Sequence, residues 1–93
     1  DYTSELQNLR AQIDVADNQL LDTLGKRMKV AEAIGALKKE KNVAALQSKR
    51  WNEILGKMVL EGEQHNLSEE FILKLFKAIH QESINHQKQI LKS

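Results

Sequence analysis

One apolar stripe along the first part of the chain constrains the fold more than any other feature. Its apolar side chains recur in steps of three and four, which keeps them on one face of an α-helix. The stripe comprises Leu6, Leu9, Ile13, Ala16, Leu20, Leu24, Ala31 and Ile34, with Arg27 and Lys38 on the same face. A helix of roughly 38 residues is about 55 Å long. The rest of a 93-residue chain cannot cover it from one side, so we expect part of it to pack against a second subunit.

The composition predicts an all-α protein with one domain over residues 1–93. The chain has no Pro and four Gly, and Leu, Lys, Gln, Glu and Ala dominate it, as in helical proteins. Helix 1 is expected at about 4–41, with Thr3 or Ser4 as N-cap and a break at Asn42-Val43. Helix 2 is expected at about 45–62. Helix 3 is expected at about 68–91, with Ser68 as its N-cap.

Charge and cysteine content exclude several classes of function. Fourteen Lys and Arg are interleaved with thirteen Asp and Glu, which argues against a nucleic-acid surface. The absence of Cys excludes disulfides and thiolate metal sites, and it fits a reducing, cytoplasmic location. No apolar run approaches membrane-spanning length. His65, His80 and His86 lack metal-ligand spacing, so we expect no metal and assign all three to packing or solvent.

Four polar residues stand where a plain helix bundle would place Leu or Ile. Arg27 and Lys38 interrupt the first stripe, and Ser83 and Gln87 interrupt a second one that runs from Ile72 to Ile90. Cations on a core face are paired, reach solvent along the helix, or bind an anion. The stripes therefore predict an anion pocket between helices.

Two further arginines belong to this pattern. Arg50 begins the second predicted helix and supplies a third cation. Arg10 lies about 25 Å from Arg27 along helix 1, beyond reach of the same pocket. In a symmetric dimer of long helices, Arg10 would serve the neighbouring subunit's site instead.

Taken in order, these residues resemble the all-helical chorismate mutases, which occur alone or fused to other shikimate-pathway enzymes. The resemblance covers nearly the whole chain without a gap. It rests on Leu9-Arg10 with Ile13 and Asp17, Leu20-Leu21 to Arg27, Val30-Ala31 through Ile34-Gly35 to Lys38, Arg50, Leu75-Phe76, Glu82-Ser83 and Gln87. It implies an intertwined homodimer of three-helix chains with two equivalent sites.

The resemblance also implies a reaction and a role for each polar residue. The reaction is the rearrangement of chorismate to prephenate in phenylalanine and tyrosine biosynthesis, without cofactor or metal. Arg27 and a second copy's Arg10 would hold the substrate carboxylates. Lys38 and Gln87 would donate to the ether oxygen as its bond breaks. Two more would bind substrate, Ser83 at a carboxylate and Arg50 near the ring hydroxyl.

The chain departs from the family pattern at two positions near Arg50. Family members often carry acidic residues there that contact the substrate hydroxyl, whereas this chain has Gln47 and Trp51. Gln47 can still accept a hydrogen bond through its carbonyl, so it is expected to bind substrate. Trp offers an N–H donor and a large apolar surface, and Trp51 is assigned to the core or the pocket wall. Recognition of the hydroxyl is therefore expected to be reorganised.

Two other functions fit the same residues. Isochorismate-pyruvate lyases share the fold and bind a similar dianion with a similar cationic set. A non-catalytic helical module for dimerisation or regulation, within a fused enzyme, would use Arg27 and Lys38 only as solvated cations of a helix seam.

Overall fold

The computed structural model describes residues 1–45 and 48–92, which form three helices. They are α1 (Tyr2–Lys41), α2 (Ser48–Gln64) and α3 (Glu69–Lys92). No strand occurs within these ranges, so the predicted all-α class and helix order are confirmed. Gln47 lies outside the described residues, and the prediction for it stays a prediction.

The start of α1 differs from the expected cap. The side chain of Asp1 accepts a hydrogen bond from the Ser4 N–H at 2.8 Å, so Asp1 is the N-cap rather than Thr3 or Ser4. A carboxylate there also interacts favourably with the positive end of the helix dipole. The helix therefore begins at Tyr2. At α3 the Ser68 cap is confirmed, because Ser68 Oγ accepts from the Phe71 N–H at 3.2 Å.

Helices α1 and α2 are each followed by an asparagine in the left-handed conformation. Asn42 (φ 56°) ends α1, and the following N–H, of Val43, bonds to the Lys38 carbonyl at 2.8 Å. Asn66 (φ 60°) follows α2 in the same way, with the Leu67 N–H bonded to the Gly62 carbonyl at 2.9 Å. Both are Schellman motifs, and Asn tolerates the left-handed conformation that they require. Helix 2 consequently continues two residues beyond its expected end at Gly62.

Helix α3 is the central element of the chain. It packs against both α1 and α2, which do not pack against each other within the described residues. Gly35 of α1 lies against Gln87, and a Cβ built on Gly35 would be 3.0 Å from the Gln87 Cα. This glycine therefore permits a close approach of α1 and α3. Because Trp51 stacks on His80 and Gly62 adjoins Ile72, α2 runs antiparallel to α3.

The first part of α1, residues 2–26, is almost uncovered. Leu9, Ile13 and Leu20 keep 57%, 59% and 53% of their surface exposed. The radius of gyration is 17.2 Å and the longest dimension is 61 Å, against about 12 Å for the radius of a compact chain of this length. The exposed area is 7387 Å², about 1,900 Å² more than a compact monomer of this mass presents. None of the described helices has the length and apolarity needed to cross a membrane.

Candidate active site

A cavity of about 480 Å³ lies where the second part of α1, residues 27–41, faces α3 and the start of α2. Its apolar wall comes mainly from Val30, Ala31, Ile34, Ile54 and Ile84. Its polar lining is Arg27, Lys38, Arg50, Trp51, His80, Ser83 and Gln87. Three of these residues are cations, and no Asp or Glu lines the cavity within the described residues.

Arg27 is held at one end of the cavity by α3. Its guanidinium donates a hydrogen bond to Oγ of Ser83, and the Ser83 hydroxyl lies 3.7 Å from the sulfur of Met28. Burial lowers the pKa of Arg27 below its ordinary value, and the nearby Arg50 lowers it further. Two guanidinium groups thus approach each other closely enough to repel. An anion between them would relieve that repulsion.

Lys38 occupies the other end of the cavity. Its ammonium donates to the Ala45 carbonyl at 2.5 Å and to Oε1 of Gln87 at 2.8 Å. An ammonium has three N–H donors and no acceptor, so one donor remains for a ligand. Burial lowers the pKa of Lys38 below its ordinary value, because removal from water disfavours the cation.

Gln87 supplies a second donor beside Lys38. Lysine can only donate, so the carbonyl oxygen of the amide must face it and the NH₂ group is left for another partner. That NH₂ group has no partner among the described residues. The Gln87 side chain is buried at 6% exposure, so its amide is held rather than free to rotate. Two donors, one cationic and one neutral, therefore face the same end of the cavity.

The structure brings together five of the seven residues predicted from the sequence. Arg27, Lys38, Arg50, Ser83 and Gln87 all line the cavity. Arg10 does not: it is exposed on the first part of α1 and has no hydrogen bond or ion pair with described residues. Gln47, the seventh, lies outside the described residues.

One polar residue of the lining was not among the site residues predicted from the sequence. His80 was expected to pack or to face solvent. Its ring packs on Trp51, with 4.0 Å between centroids and 14° between planes, and it also lines the cavity. The available signal was its spacing, three residues before Ser83 and seven before Gln87 on one helix face. Burial lowers the pKa of His80, and the charges of Arg27 and Lys38 lower it further.

A second polar cluster lies outside this cavity, also between α1 and α3. Nδ1 of His86 lies 3.0 Å from a Glu32 oxygen, and Nε2 lies 3.4 Å from a Glu82 oxygen. The hydrogen bond that His86 donates to the Glu32 carboxylate is the main reason that the pKa of His86 is raised. Within the described part of the chain, no group of three or more His, Cys, Asp or Glu is arranged to hold a metal ion.

The chemistry of the cavity is that of a binding site for a small polyanion. Its cations and amide donate hydrogen bonds, and burial makes each interaction stronger than it would be in water. Guanidinium forks match carboxylates in geometry. This arrangement can fix the orientation of an anionic molecule and stabilise negative charge that develops on it.

Comparison with known proteins agrees with a binding site for a small polyanion. The family model for chorismate mutase type II matches residues 9–88. A bifunctional chorismate mutase/prephenate dehydratase of Buchnera aphidicola subsp. Acyrthosiphon pisum is 32% identical over 83 residues, which are 89% of this chain and 22% of that protein. Its counterpart in Buchnera aphidicola subsp. Schizaphis graminum is 30% identical over 95% of this chain and 23% of that protein.

A shorter relative has a different name. A 4-amino-4-deoxychorismate mutase of Streptomyces venezuelae is 32% identical over 76 residues, which are 82% of this chain and 74% of that protein. The chain thus spans less than a quarter of the two bifunctional relatives and most of the shorter one. On the family match and these identities, the chain belongs to the chorismate mutase type II family, and so to the isomerases.

Proposed function

We propose that this chain converts chorismate to prephenate, as a homodimer in which each site takes residues from both copies. The observation that carries the proposal is the convergence of Arg27, Lys38 and Arg50 on one cavity with no carboxylate among the described lining residues. Chorismate has two carboxylates, which match this excess of positive charge.

The reaction requires no covalent bond between the protein and the substrate. Within one molecule an ether C–O bond breaks as a C–C bond forms, and no proton or electron enters or leaves. The protein can accelerate it by holding the flexible substrate in the reactive conformer. In this proposal Arg27 and Ser83 bind one carboxylate, Arg50 binds near the ring hydroxyl and carboxylate, and Gln47 accepts from the hydroxyl.

Negative charge grows on the ether oxygen as the C–O bond breaks. The free N–H of Lys38 and the NH₂ group of Gln87 face the same end of the cavity, where we place that oxygen. Because both donors are already fixed, by Ala45 and by each other, they do not reorganise during the reaction. Donors of this kind bind the transition state more strongly than the substrate.

The second copy completes the site in this proposal. The exposed stripe of Leu9, Ile13 and Leu20 is the surface that it would cover. An excess area of about 1,900 Å² per chain matches the interface size of obligate dimers. Arg10 lies on the same part of α1, so a second copy packed there would bring its own Arg10 to the first copy's cavity.

The proposal is tested by following the loss of chorismate absorbance with purified protein and identifying the product. Wild type should form prephenate, and Lys38→Ala should lower kcat by about 10²–10³-fold, because a fixed donor to the developing charge is removed. Lys29→Ala is the matched control, since Lys29 is an exposed residue of α1 that does not line the cavity. Retention of full turnover by Lys38→Ala would contradict the proposed role.

The same assay separates the alternatives. Release of pyruvate from isochorismate, with no prephenate from chorismate, would assign the chain to the lyases. A folded dimer that transforms neither compound would favour a non-catalytic module.

A further inference from the structure

The first turn of α2 carries Arg50 to the cavity, although little of this turn is covered by other helices. Residues 48–50 are exposed, and Trp51 is the first residue of α2 that is partly buried. The helix packs against α3 but not against α1 within the described residues. Trp51 is therefore the first point along α2 at which the helix is attached to α3.

Trp51 makes this attachment by stacking on His80 of α3. The ring centroids are 4.0 Å apart, and the ring planes are 14° from parallel. Consecutive residues of an α-helix point about 100° apart around its axis. A stack that fixes the direction of Trp51 therefore also fixes the direction in which the preceding side chain, Arg50, leaves the helix.

Arg50 requires such support because a neighbouring charge repels it. The charge of Arg50 lowers the pKa of Arg27, so the two guanidinium groups repel each other across the cavity. Arg27 is held by its hydrogen bond to Ser83. Arg50 makes no hydrogen bond or ion pair with the described residues. Of the two arginines, Arg50 is thus the one that repulsion can displace.

We propose that Trp51 and His80 are positioning residues for Arg50, because their stack holds the first turn of α2 against α3 and keeps Arg50 at the cavity before an anion binds. The inference deepens the proposed function and rests on it, since Arg50 is one of the groups proposed to bind substrate. A cation that is already held in place binds an anion more tightly than one that must first be ordered.

Loss of the stack should therefore weaken binding through Arg50 and leave the chemical step nearly unchanged. The donors proposed for the ether oxygen, Lys38 and Gln87, are held by the Ala45 carbonyl and by each other, without a contact to α2. An interaction that binds substrate and transition state equally changes KM and not kcat. This division between KM and kcat distinguishes positioning of Arg50 from a general loss of structure.

The experiment is a double-mutant cycle on KM and kcat for chorismate, with Trp51→Ala, Arg50→Ala and the double variant. Arg50→Ala removes a hydrogen-bonding charge and should raise KM by about 10–100-fold. Trp51→Ala should raise KM by about 3–10-fold, the scale of one aromatic stack. In the Arg50→Ala background the same replacement should change KM by less than about 2-fold. Increases in KM that multiply in the double variant would overturn the inference, because Trp51 would then act independently of Arg50.

Variants that keep two facing rings test whether the stack itself is responsible. His80→Ala should raise KM as Trp51→Ala does, whereas Trp51→Phe and His80→Phe should keep KM within about 3-fold of wild type. Met58→Ala is the matched control, because Met58 is a partly buried residue of α2 two turns beyond Trp51 and outside the cavity. It should lower stability and leave KM unchanged. A KM for His80→Phe as high as that for His80→Ala would overturn the inference.

Amide hydrogen exchange tests the stack without any substrate. The N–H groups of residues 52–55 bond to the carbonyls of residues 48–51 in α2, so their exchange reports opening of its first turn. Trp51→Ala should accelerate this exchange by about 3–10-fold, and Trp51→Phe should not. Unchanged exchange in Trp51→Ala would overturn the inference.

Failure of the proposed function is recognised separately. If wild type with the helix content of the folded chain does not rearrange chorismate, the mutase proposal fails, and calorimetric dissociation constants for chorismate replace KM in the same cycle. A weakening of binding by Trp51→Ala that disappears in the Arg50→Ala background would sustain the inference. Independent effects of the two substitutions on binding would overturn it.

Discussion

The two parts of α1 share one apolar stripe but have opposite surroundings. In residues 27–41, Met28, Ala31 and Gly35 are buried, mainly against α3. In residues 2–26, Leu9 and Ile13 remain more than half exposed. Sequence periodicity therefore predicts that a face is covered, but it does not say by which chain. The uncovered part is where a second copy is expected.

The polar residues divide in the same way. Arg27 and Lys38, in the second part, bond directly to Ser83 and Gln87 of α3. Arg10, in the first part, has no such partner among the described residues. A long helix thus carries one set of site residues for its own chain and, in our account, one residue for its neighbour.

The largest expected effect comes from placing a charge on the uncovered stripe. Ile13→Glu should dissociate the dimer and abolish activity, because a carboxylate would be buried against a second copy. Val15→Glu is the matched control, since Val15 is equally exposed in the single chain, 57% against 59%, but lies on the opposite face of the helix. Analytical sedimentation measures the oligomeric state of the two variants, and a turnover assay measures their activity. Equal behaviour of the two variants would show that the stripe is not an interface.

Gln87→Glu should impose an acidic optimum on an activity that otherwise lacks one. An amide donates at every pH, whereas a carboxylate beside the ether oxygen donates only when protonated. We expect about 10²-fold lower kcat at pH 7.5, recovered toward pH 5. Gln89→Glu, at an exposed position of α3 outside the cavity, should leave the pH profile flat. A wild-type activity that fell steeply from pH 5 to 7 would contradict this account.

How far the sequence predicts the site depends on which atoms make it. Arg27, Lys38, Ser83 and Gln87 could be found because each breaks an apolar stripe. The Ala45 carbonyl that fixes Lys38 could not, because its position depends on the turn after Asn42 rather than on a side chain. His80 was left out of the predicted site because a lone histidine is more often a packing residue, and it does pack on Trp51 while also lining the cavity.

The same distinction holds for the fold. The three helices and the Ser68 cap follow from period and capping chemistry. The Asp1 cap does not, because the side-chain carboxylate of Asp1 takes the capping role that the capping-box pattern assigned to Thr3 or Ser4. The extension of α2 beyond Gly62 does not either, because in a sequence a glycine in a buried helix position resembles a helix end. Gly62 instead makes room for the Ile72 side chain, which would lie 2.6 Å from a Cβ there.

A smaller effect should follow from filling the contact between α1 and α3. Gly35→Ala would place a Cβ 3.0 Å from the Gln87 Cα, so the two helices must separate slightly. We expect a loss of about 1–3 kcal/mol in stability and a several-fold fall in kcat, because Gln87 moves with its backbone. Gly56→Ala has open space around it and should gain up to about 1 kcal/mol. Denaturant unfolding and turnover measure both, and a stabilised, fully active Gly35→Ala would contradict the contact.

The smallest effect concerns pH and the His86 cluster. Because Glu32 and Glu82 raise the pKa of His86, its protonated form is favoured in the folded chain. Its stabilisation is therefore fully present below the ordinary value of 6.5 and is lost as pH rises through the raised value. His86→Gln should lower the unfolding midpoint more at pH 6 than at pH 8. An equal decrease of the unfolding midpoint at the two pH values would show that the ion pair of His86 does not contribute to stability.

The shared site between two copies is tested most directly by mixing inactive variants. Arg10→Ala and Lys38→Ala are each expected to be nearly inactive alone. In a mixed dimer one site would carry both substitutions and the other neither, so random exchange after refolding should restore roughly a quarter of wild-type activity. Arg27→Ala mixed with Lys38→Ala is the control, because both residues belong to one copy's site and every site stays defective. Activity no higher than the mean of the separate variants would contradict the contribution of Arg10 to a neighbouring site.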